Sequence, residues 1–264
     1  MLIALLLAGV LTQDPGPRSQ PVSAAPSRPF RVLVYTHSAG FEHDVVRRVD
    51  GNDSVVERSL SELGKKHDEL EVVLARDTSW LQADSLERLN VVLFFTTGEL
   101  PFEASQREAL LSFVRRGGGF VGVHSATDTF YEYEPYLAMV GGAFDGHPWH
   151  ESVRLLVEDT EHPATRHLGA SFEITDEIYQ FRAPYDRERL HVLLKLDVEG
   201  LDLKKDAVNR TDGDFALAWC RSYGRGRVFY TALGHRPEVW ADARFREHLL
   251  GGLRWASGRS QPPE

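Results

Sequence analysis

The segment GGGFVGVHSATDT, Gly117–Thr129, decides the fold of this chain. Its three glycines end a helical stretch that starts at Pro101, because glycine commonly follows the last turn of a helix. The apolar run Phe120–Val123 predicts a short buried strand, and His124 opens the polar loop that follows it. A helix, a buried strand and a polar loop in this order are typical of a βαβ unit in a parallel sheet.

Similar elements are predicted on both sides of this segment. Strands are expected at Arg31–Thr36, Leu70–Leu74, Asn90–Phe95, Ser152–Val157, His191–Leu196, Phe215–Arg221 and Arg227–Ala232. Helices are expected around Val55–Leu63 and over Pro237–Ala256, and a tight turn at Tyr223–Gly226 joins the last two strands as a hairpin. The strands show little polar alternation, which favours a sheet covered on both faces. We therefore predict one α/β domain with an open, mostly parallel, doubly wound (flavodoxin-like) sheet and an added β-hairpin.

The first 28 residues differ in composition from the rest. Met1–Leu11 is apolar apart from one glycine, and about eleven residues are too few for a membrane span, which needs roughly 20. The run fits the core of a signal peptide, and Val22–Ala24 offers small residues for cleavage, although no Lys or Arg precedes it. We expect an exported protein with a signal peptide and linker at 1–28, a folded domain at 29–258 and a tail at 259–264; a leader without function is the alternative.

Composition excludes several kinds of site. The chain has 264 residues, with 11 His, one Cys and a net charge of −9. One cysteine rules out an internal disulfide, a thiolate zinc site and an iron–sulfur cluster. The negative charge argues against nucleic acid and anionic lipid as partners. A metal site would therefore use histidines and carboxylates.

Familiar catalytic motifs are missing. The sequence has no G-x-S-x-G elbow, no GxGxxG after the first strand and no GxxxxGK[ST]. We therefore expect neither a serine hydrolase of the α/β-hydrolase type nor a nucleotide cofactor. The expected partner is a small molecule, with no nucleic acid and no membrane after leader removal.

Histidines directly follow three predicted strands, at His37, His124 and His235. Ligands of open α/β sheets bind beyond the carboxyl ends of the strands. A single histidine there is more often structural, whereas three at one sheet edge favour function. The residues predicted to be catalytic are His124, Asp128, Glu177 and His235.

The loop GGAFDGHPWH, Gly141–His150, carries two further histidines. His147 and His150 are three residues apart and would reach one metal ion if the segment turns helically. A surface loop that merely carries histidines is the alternative. The predicted metal ligands are His37, His43, His147 and His150, with zinc or a similar divalent ion.

Aromatic residues near these positions would suit stacking on a sugar ring, although aromatic residues are more often part of the core. The predicted substrate-binding residues are Phe41, Thr97, Ser125, Trp149 and Tyr179.

Several motifs together resemble the ThuA (trehalose utilisation) family over residues 30–258. The motifs are THSAGFEH (Thr36–His43), GGGFVGVHSATDT (Gly117–Thr129), YLAMVGGAFDGHP (Tyr136–Pro148), TDEIYQF (Thr175–Phe181), GRVFYTALGH (Gly226–His235) and HLLGGLRWASG (His248–Gly258). The resemblance implies a fold like that of the class I glutamine amidotransferases. It places His124 where those enzymes have a nucleophilic cysteine, so amidotransferase activity is not expected.

Members of the family are linked to sugar metabolism, alongside oxidoreductases that make 3-keto sugars. By motif position the resemblance points to His37, His43, His124, Asp128, His147, Glu177 and His235.

Three hypotheses follow. The leading one is a carbohydrate-metabolism protein that acts on a sugar or keto-sugar as hydrolase, lyase or isomerase with metal assistance. The second is a noncatalytic sugar-binding module on the same fold. The third is a metal-free isomerase or hydrolase that uses Asp128 or Glu177 together with His235.

Overall fold

A computed structural model of the chain describes residues 28–259. Residues 1–27, which hold the predicted signal peptide and nearly all of its linker, and residues 260–264 of the predicted tail lie outside the described residues. The strands are β1 (Phe30–Tyr35), β2 (Leu70–Leu74), β3 (Val91–Phe94), β4 (Gly119–Val123), β5 (Ala143–Phe144), β6 (Trp149–Val157), β7 (Ser171–Ile178), β8 (Phe181–Arg182), β9 (His191–Leu196), β10 (Ala216–Tyr223) and β11 (Gly226–Thr231). The α-helices are α1 (Val55–Lys66), α2 (Ala83–Leu86), α3 (Ala104–Arg115), α4 (Glu134–Val140), α5 (Pro237–Ala241) and α6 (Ala243–Ala256).

Nine of these strands form one sheet in the order β2-β1-β3-β4-β11-β10-β9-β6-β7. The first five are parallel neighbours, and the remaining four continue the sheet with antiparallel pairings. Only β10 and β6 run opposite to the other strands. The predicted open, mostly parallel α/β sheet with an added hairpin is confirmed, and the hairpin extends into a four-stranded antiparallel region.

Helices cover both faces of the parallel region. Helices α1, α5 and α6 pack on one side and α3 and α4 on the other. Every residue of β3 and β4 is buried, because strands between two helical layers have no face left for water.

Two elements of the antiparallel region differ from the prediction. Strand β6 begins at Trp149 and not at Ser152, so the last two residues of the predicted loop, Trp149 and His150, belong to the strand. Strand β7 contains Asp176 and Glu177 of the motif TDEIYQF, where the sequence analysis predicts no strand. The sequence of β7 does not show the apolar run of a buried strand. The reason is that β7 is an edge strand, on which polar side chains alternate with buried ones.

Within residues 28–259, no helix combines the length and the apolar composition that a membrane crossing requires.

Candidate metal centre and active site

Four elements bring titratable side chains to the carboxyl edge of the parallel strands. His43 lies in the loop after β1, His124 directly follows β4, and His235 lies in the loop after β11. Glu177 comes from β7, at the far end of the antiparallel region. The site therefore joins the two parts of the sheet.

His124 occupies a sharp turn between β4 and one turn of 3-10 helix, with a left-handed φ of 47°. Such a conformation is strained for a residue with a Cβ and often marks a functional position. Small residues lie two positions away on each side, Gly122 and Ala126; a Cβ on Gly122 would come within 2.9 Å of the Tyr230 ring. The Tyr230 hydroxyl donates to the His124 carbonyl at 2.6 Å and so helps to hold the turn. This elbow projects His124 beyond the strand end.

The loop that carries His43 is fixed at two points. Gly98 has a φ of 75° and approaches Gly40 so closely that an added Cβ would lie 2.5 Å from the Gly40 nitrogen. Further along, Arg48 forms an ion pair with Glu57, which is fully buried in the first turn of α1. These two anchors position His43 although it belongs to no helix or strand.

His43 is buried, and its Nδ1 has no hydrogen-bond partner. Burial, together with the neighbouring imidazoles His124 and His235, lowers the pKa of His43 to about 3. The ring is therefore neutral at physiological pH. A buried polar atom without a partner is rare, and here it marks a place for a ligand atom that the protein does not supply.

Glu177 is the centre of the site because its two carboxylate oxygens face four imidazoles. One oxygen lies 3.1 Å from His124 Nε2 and 3.0 Å from His235 Nδ1. The other lies 3.1 Å from His150 Nε2 and 3.4 Å from His147 Nδ1. His150 reaches Glu177 because the two residues are directly paired across β6 and β7.

The charges of this group are coupled. Burial raises the pKa of Glu177, but its close contacts with His124 and His235 outweigh burial and hold the pKa well below its ordinary value. Burial lowers the pKa of His235, but the Glu177 carboxylate outweighs burial, so the pKa of His235 lies above its ordinary value. The protein alone therefore favours an ionised carboxylate beside a protonated His235.

Asp176 supports the loop after β11 and, through it, His235. Its fully buried carboxyl accepts hydrogen bonds from Gly234 N at 2.7 Å and Arg236 N at 3.1 Å. Burial raises the pKa of Asp176 above its ordinary value despite these bonds. The residue is a neighbour of the site and does not line the cavity described below.

The donor set fits a divalent metal ion. His43, His124, Glu177 and His235, here called the Glu177 cluster, each offer one ligand atom, and these atoms lie within 4.8 Å of one another. His124 Nδ1 is 2.6 Å from the Ala232 carbonyl and must carry a proton to donate there, so the lone pair of a neutral His124 is on Nε2. That lone pair faces a carboxylate oxygen. Because the two atoms repel each other, a proton or a cation must lie between them. Three imidazoles and a carboxylate are ligands that Zn²⁺ and similar ions accept.

A cavity of about 500 Å³ opens over the cluster. Its lining residues are Phe41, His43, Asp128, Phe144, His147, His150, Glu177, Tyr179 and His235. Burial raises the pKa of Asp128, although the Tyr131 hydroxyl bonded to this carboxyl lowers it in part. A carboxyl with a raised pKa at the wall of a cavity is suited to general acid–base chemistry.

Eight of the predicted site residues line this cavity, and His124 belongs to the cluster beneath it; two of the others lie away from the site. His37 is exposed and stacks on Tyr35, with ring centroids 6.0 Å apart, so its predicted place among the metal ligands is wrong. The Trp149 side chain is 1% exposed and packs against Phe215, so the prediction that it stacks on a sugar is also wrong.

Three other expectations change in detail. Thr97 is fully buried and donates to the Phe41 carbonyl at 2.7 Å, so it supports the cavity wall from behind. Ser125 is fully buried, and its hydroxyl has no partner. The predicted helical turn at His147 and His150 is wrong, because His150 lies in β6, yet both rings still face Glu177.

His124, Glu177 and His235, which the sequence predicts to be catalytic, lie together with His43 in a group of donors that could hold a metal ion. His147 and His150, expected as ligands, lie on the half-exposed rim. Small residues on both sides of His124, in Gly122-Val-His-Ser-Ala126, were a signal for the elbow that the sequence already contained.

The chain is similar to known proteins over nearly all of its folded part. The family model ThuA, trehalose utilisation, matches residues 31–256. A ThuA-like protein from Bacteroides uniformis has a solved structure with 26% identity and a TM-score of 0.70, covering 90% of this chain and 95% of that one. A ThuA-like protein from Parabacteroides merdae has 18% identity and a TM-score of 0.69, with 90% and 93% covered.

Part of a larger enzyme shares the fold. A β-galactosidase from Bacillus circulans has 15% identity and a TM-score of 0.52 over 89% of this chain and 32% of its own. At that identity the likeness concerns the fold alone. Among curated proteins, none matches this chain.

Proposed function

This chain belongs to the ThuA (trehalose utilisation) family, and we propose that it acts on a sugar or keto-sugar glycoside, with a divalent metal ion held by the Glu177 cluster. Family membership supports a role in carbohydrate metabolism. The observation that supports the metal-assisted reaction is that four imidazoles face the two carboxylate oxygens of Glu177.

The proposed ligands are His43, His124, Glu177 and His235. An ion bound by them would supply a Lewis acid for a sugar carbonyl or a bound water. The hydrogen bond from His124 Nδ1 to the Ala232 carbonyl fixes the tautomer in which Nε2 is free for this role. Asp176 keeps His235 in position by accepting from the backbone of the same loop.

Proton transfer is assigned to Asp128. It lies in the wall of the same cavity, and burial raises the pKa of its carboxyl, so it is able both to hold and to release a proton. Phe41 and Phe144 add apolar surface to that cavity, which suits the carbon–hydrogen face of a sugar ring. His150, which burial keeps neutral by lowering its pKa, is a second group at the rim that accepts a proton.

The test combines metal analysis with turnover. Purified full-length protein is analysed for bound metal, then stripped with a chelator and reloaded with single divalent ions, and product formation from 3-keto glycosides is followed by chromatography. We expect the wild type to bind close to one ion per chain, and turnover to disappear and return with it. His124→Ala should abolish both, whereas His191→Ala, which removes a histidine paired with Asp159 at 2.8 Å outside the site, should preserve both.

A noncatalytic sugar-binding module is the second candidate, favoured by the 67% exposure of Phe41 beside the cavity. It predicts sugar binding without any product. Full turnover by metal-free protein would instead support the isomerase or hydrolase that uses Asp128 or Glu177 with His235.

A further inference from the structure

A further cavity lies at the opposite edge of the sheet from the Glu177 cluster. Strand β9 begins at His191, opposite Cys220, so the last three residues of β10, Arg221–Tyr223, pair with β11 alone. They lie beside the amino ends of β11 and β4, whereas the Glu177 cluster lies at the carboxyl ends. A cavity of about 760 Å³, here called the Arg221 cavity, borders Cys220, Arg221 and Ser222 at this place.

Two arginines in the wall of this cavity have no carboxylate partner. Arg189 lies in the 3-10 turn before β9, and Arg221 belongs to β10. In the same turn as Arg189, Arg187 pairs with both Glu158 and Asp214. Within residues 28–259, no carboxylate lies within ion-pair distance of Arg189 or Arg221. The charges of both guanidiniums are therefore available to a ligand.

Arg221 is the stronger indication of the two, because part of its guanidinium is buried. Its Nη1 donates to the Ala138 carbonyl at 2.9 Å, whereas Nε is buried and has no acceptor in the described part of the chain. Burial and the nearby positive charge of Arg189 lower the pKa of Arg221. A buried N–H without an acceptor costs free energy, and two neighbouring guanidiniums repel each other. An anion bound between them removes both costs.

The acidic side chains in the wall do not compensate these charges. Asp159 accepts two backbone N–H groups with one oxygen and faces His191 with the other. Glu188 is exposed and pairs with neither arginine. Because the whole chain carries a net charge of −9, an anion needs a local group of positive charges in order to bind. Arg189 and Arg221 provide such a group.

The size and the apolar part of the wall indicate an organic ligand. Small-molecule sites in proteins commonly have volumes of about 300–1,000 Å³, and an inorganic anion alone would leave most of the Arg221 cavity to water. Leu190 and Trp255 add apolar surface to the wall beside the charged groups. A ligand with an anionic group and an apolar body contacts both parts of the wall.

We propose that the Arg221 cavity binds a small organic oxyanion, whose carboxylate or phosphate group contacts Arg189 and Arg221 and whose body lies along Leu190 and Trp255. A guanidinium suits either group, because its N–H donors match the oxygens of both. The cavity is separate from the proposed metal centre, so the inference does not depend on the proposed function.

The test is titration calorimetry of metal-stripped, full-length protein with three probes that share a phenyl ring: phenyl phosphate, benzoate and the neutral benzyl alcohol. We expect both anions to bind more tightly than the alcohol, and the tighter anion identifies the preferred charged group. Arg189→Ala should weaken anion binding roughly tenfold, because a charge-assisted hydrogen bond is lost at an exposed position. Arg88→Ala, which removes an exposed arginine outside the cavity, is the matched control and should bind as the wild type does.

Arg221→Lys tests the buried part of the site. Lysine keeps the positive charge but lacks the Nε–H and the fork of donors, so we expect anion binding to weaken by a similar factor. Thermal unfolding of the same samples shows whether the variant is folded. If it is not, Arg189→Ala decides the outcome.

Glu177→Gln shows where the anion binds. Unchanged anion binding in this variant supports the Arg221 cavity, whereas loss of binding assigns the anion to the Glu177 cluster and overturns the inference. Three other results overturn it as well: anion binding unchanged in Arg189→Ala, alcohol binding as tight as anion binding, and no anion binding by the wild type at millimolar concentration. None of these results bears on the proposed function.

Discussion

Within residues 28–259, two regions place histidines around a carboxylate beside a cavity, and one of them resembles a metal centre. The first is the Glu177 cluster. The second, here called the Asp159 region, comprises Asp159, His162, His191 and Cys220 and lines a larger cavity of about 760 Å³. The sequence gives the second region no special features, and size alone would favour it as a ligand site.

The hydrogen bonds of the histidines explain the difference. In the Glu177 cluster, His124 donates from Nδ1 to a carbonyl, which leaves the Nε2 lone pair facing the other donors. In the Asp159 region, His162 Nδ1 accepts from Ala164 N, so in neutral His162 the proton is on Nε2, 3.7 Å from Cys220 Sγ. Such a ring offers a proton and no lone pair to a cation.

The two carboxylates also differ in the groups that their oxygens face. Glu177 directs both oxygens at imidazoles, whereas one Asp159 oxygen accepts two backbone N–H groups and the other faces His191. Asp159 is thus used to hold a turn. The comparison teaches that residue type and cavity volume identify a site less well than the direction of the free lone pairs.

Glu177→Gln should have the largest effect, because the amide keeps the shape but removes the charge that four imidazoles face. We expect metal affinity to fall more than about 100-fold, which exceeds the usual cost of losing a group that only supports a ligand. Titration calorimetry with Zn²⁺ measures it. Asp159→Asn is the matched control in the Asp159 region, and a loss of equal size there would remove the contrast between the two.

His43→Gln tests whether the buried ring with the unpaired Nδ1 is a ligand. The loss in metal affinity should be on the order of 10- to 100-fold, smaller than for Glu177 because a neutral ligand is lost and the carboxylate charge remains. His162→Gln, an equally buried histidine, should bind metal as the wild type does. If both variants bind alike, His43 is structural.

His150→Ala tests whether a half-exposed histidine at the mouth of the cavity is a metal ligand. Its ring is half-exposed and contacts Glu177 from outside the cluster, so we expect a change in metal affinity of less than about tenfold. The same titration measures it. An effect as large as that of Glu177→Gln would move His150 into the ligand set.

Folding stability, as distinct from metal binding, should depend on pH in the Asp159 region. Burial lowers the pKa of His162 to about 4, so folded protein keeps this ring neutral while the unfolded chain protonates near pH 6.5. The stability associated with neutral His162 is complete above pH 6.5 and is lost as the pH falls toward 4. At pH 5 the loss is about 2 kcal/mol.

Urea unfolding of the wild type and His162→Gln at pH 8 and pH 5 measures this loss. The variant should lose about 2 kcal/mol less than the wild type between the two pH values. An identical loss in both proteins would show that His162 titrates normally when folded.

Much of the site could be predicted because the relevant signals are local. His124 and His235 follow apolar runs that are legible as strands, and parallel strands end at one edge of a sheet. The small residues around His124 are likewise local. His37 could not be excluded from the sequence alone, because the sequence fixes its place after β1 but not the direction of its side chain, which stacks on Tyr35.

The antiparallel region was less predictable. Trp149 seemed a sugar-binding residue as part of a glycine-rich loop, and only the pairing of β6 with β7 shows that it points into the core. The same pairing puts His150 opposite Glu177, which no helical spacing could have indicated.

Hydrophobic periodicity and the order of the motifs were enough to predict the parallel sheet, the family and the positions of His124 and His235 at the sheet edge, because these are properties of neighbouring residues. The central position of Glu177 follows only from the folded chain. Glu177 is 53 residues from His124 in the chain and lies on an edge strand, so their contact depends on the register of four antiparallel strands. The tertiary structure also decided which ring nitrogens are free, since the groups that fix each tautomer, such as the Ala232 carbonyl, come from distant parts of the chain.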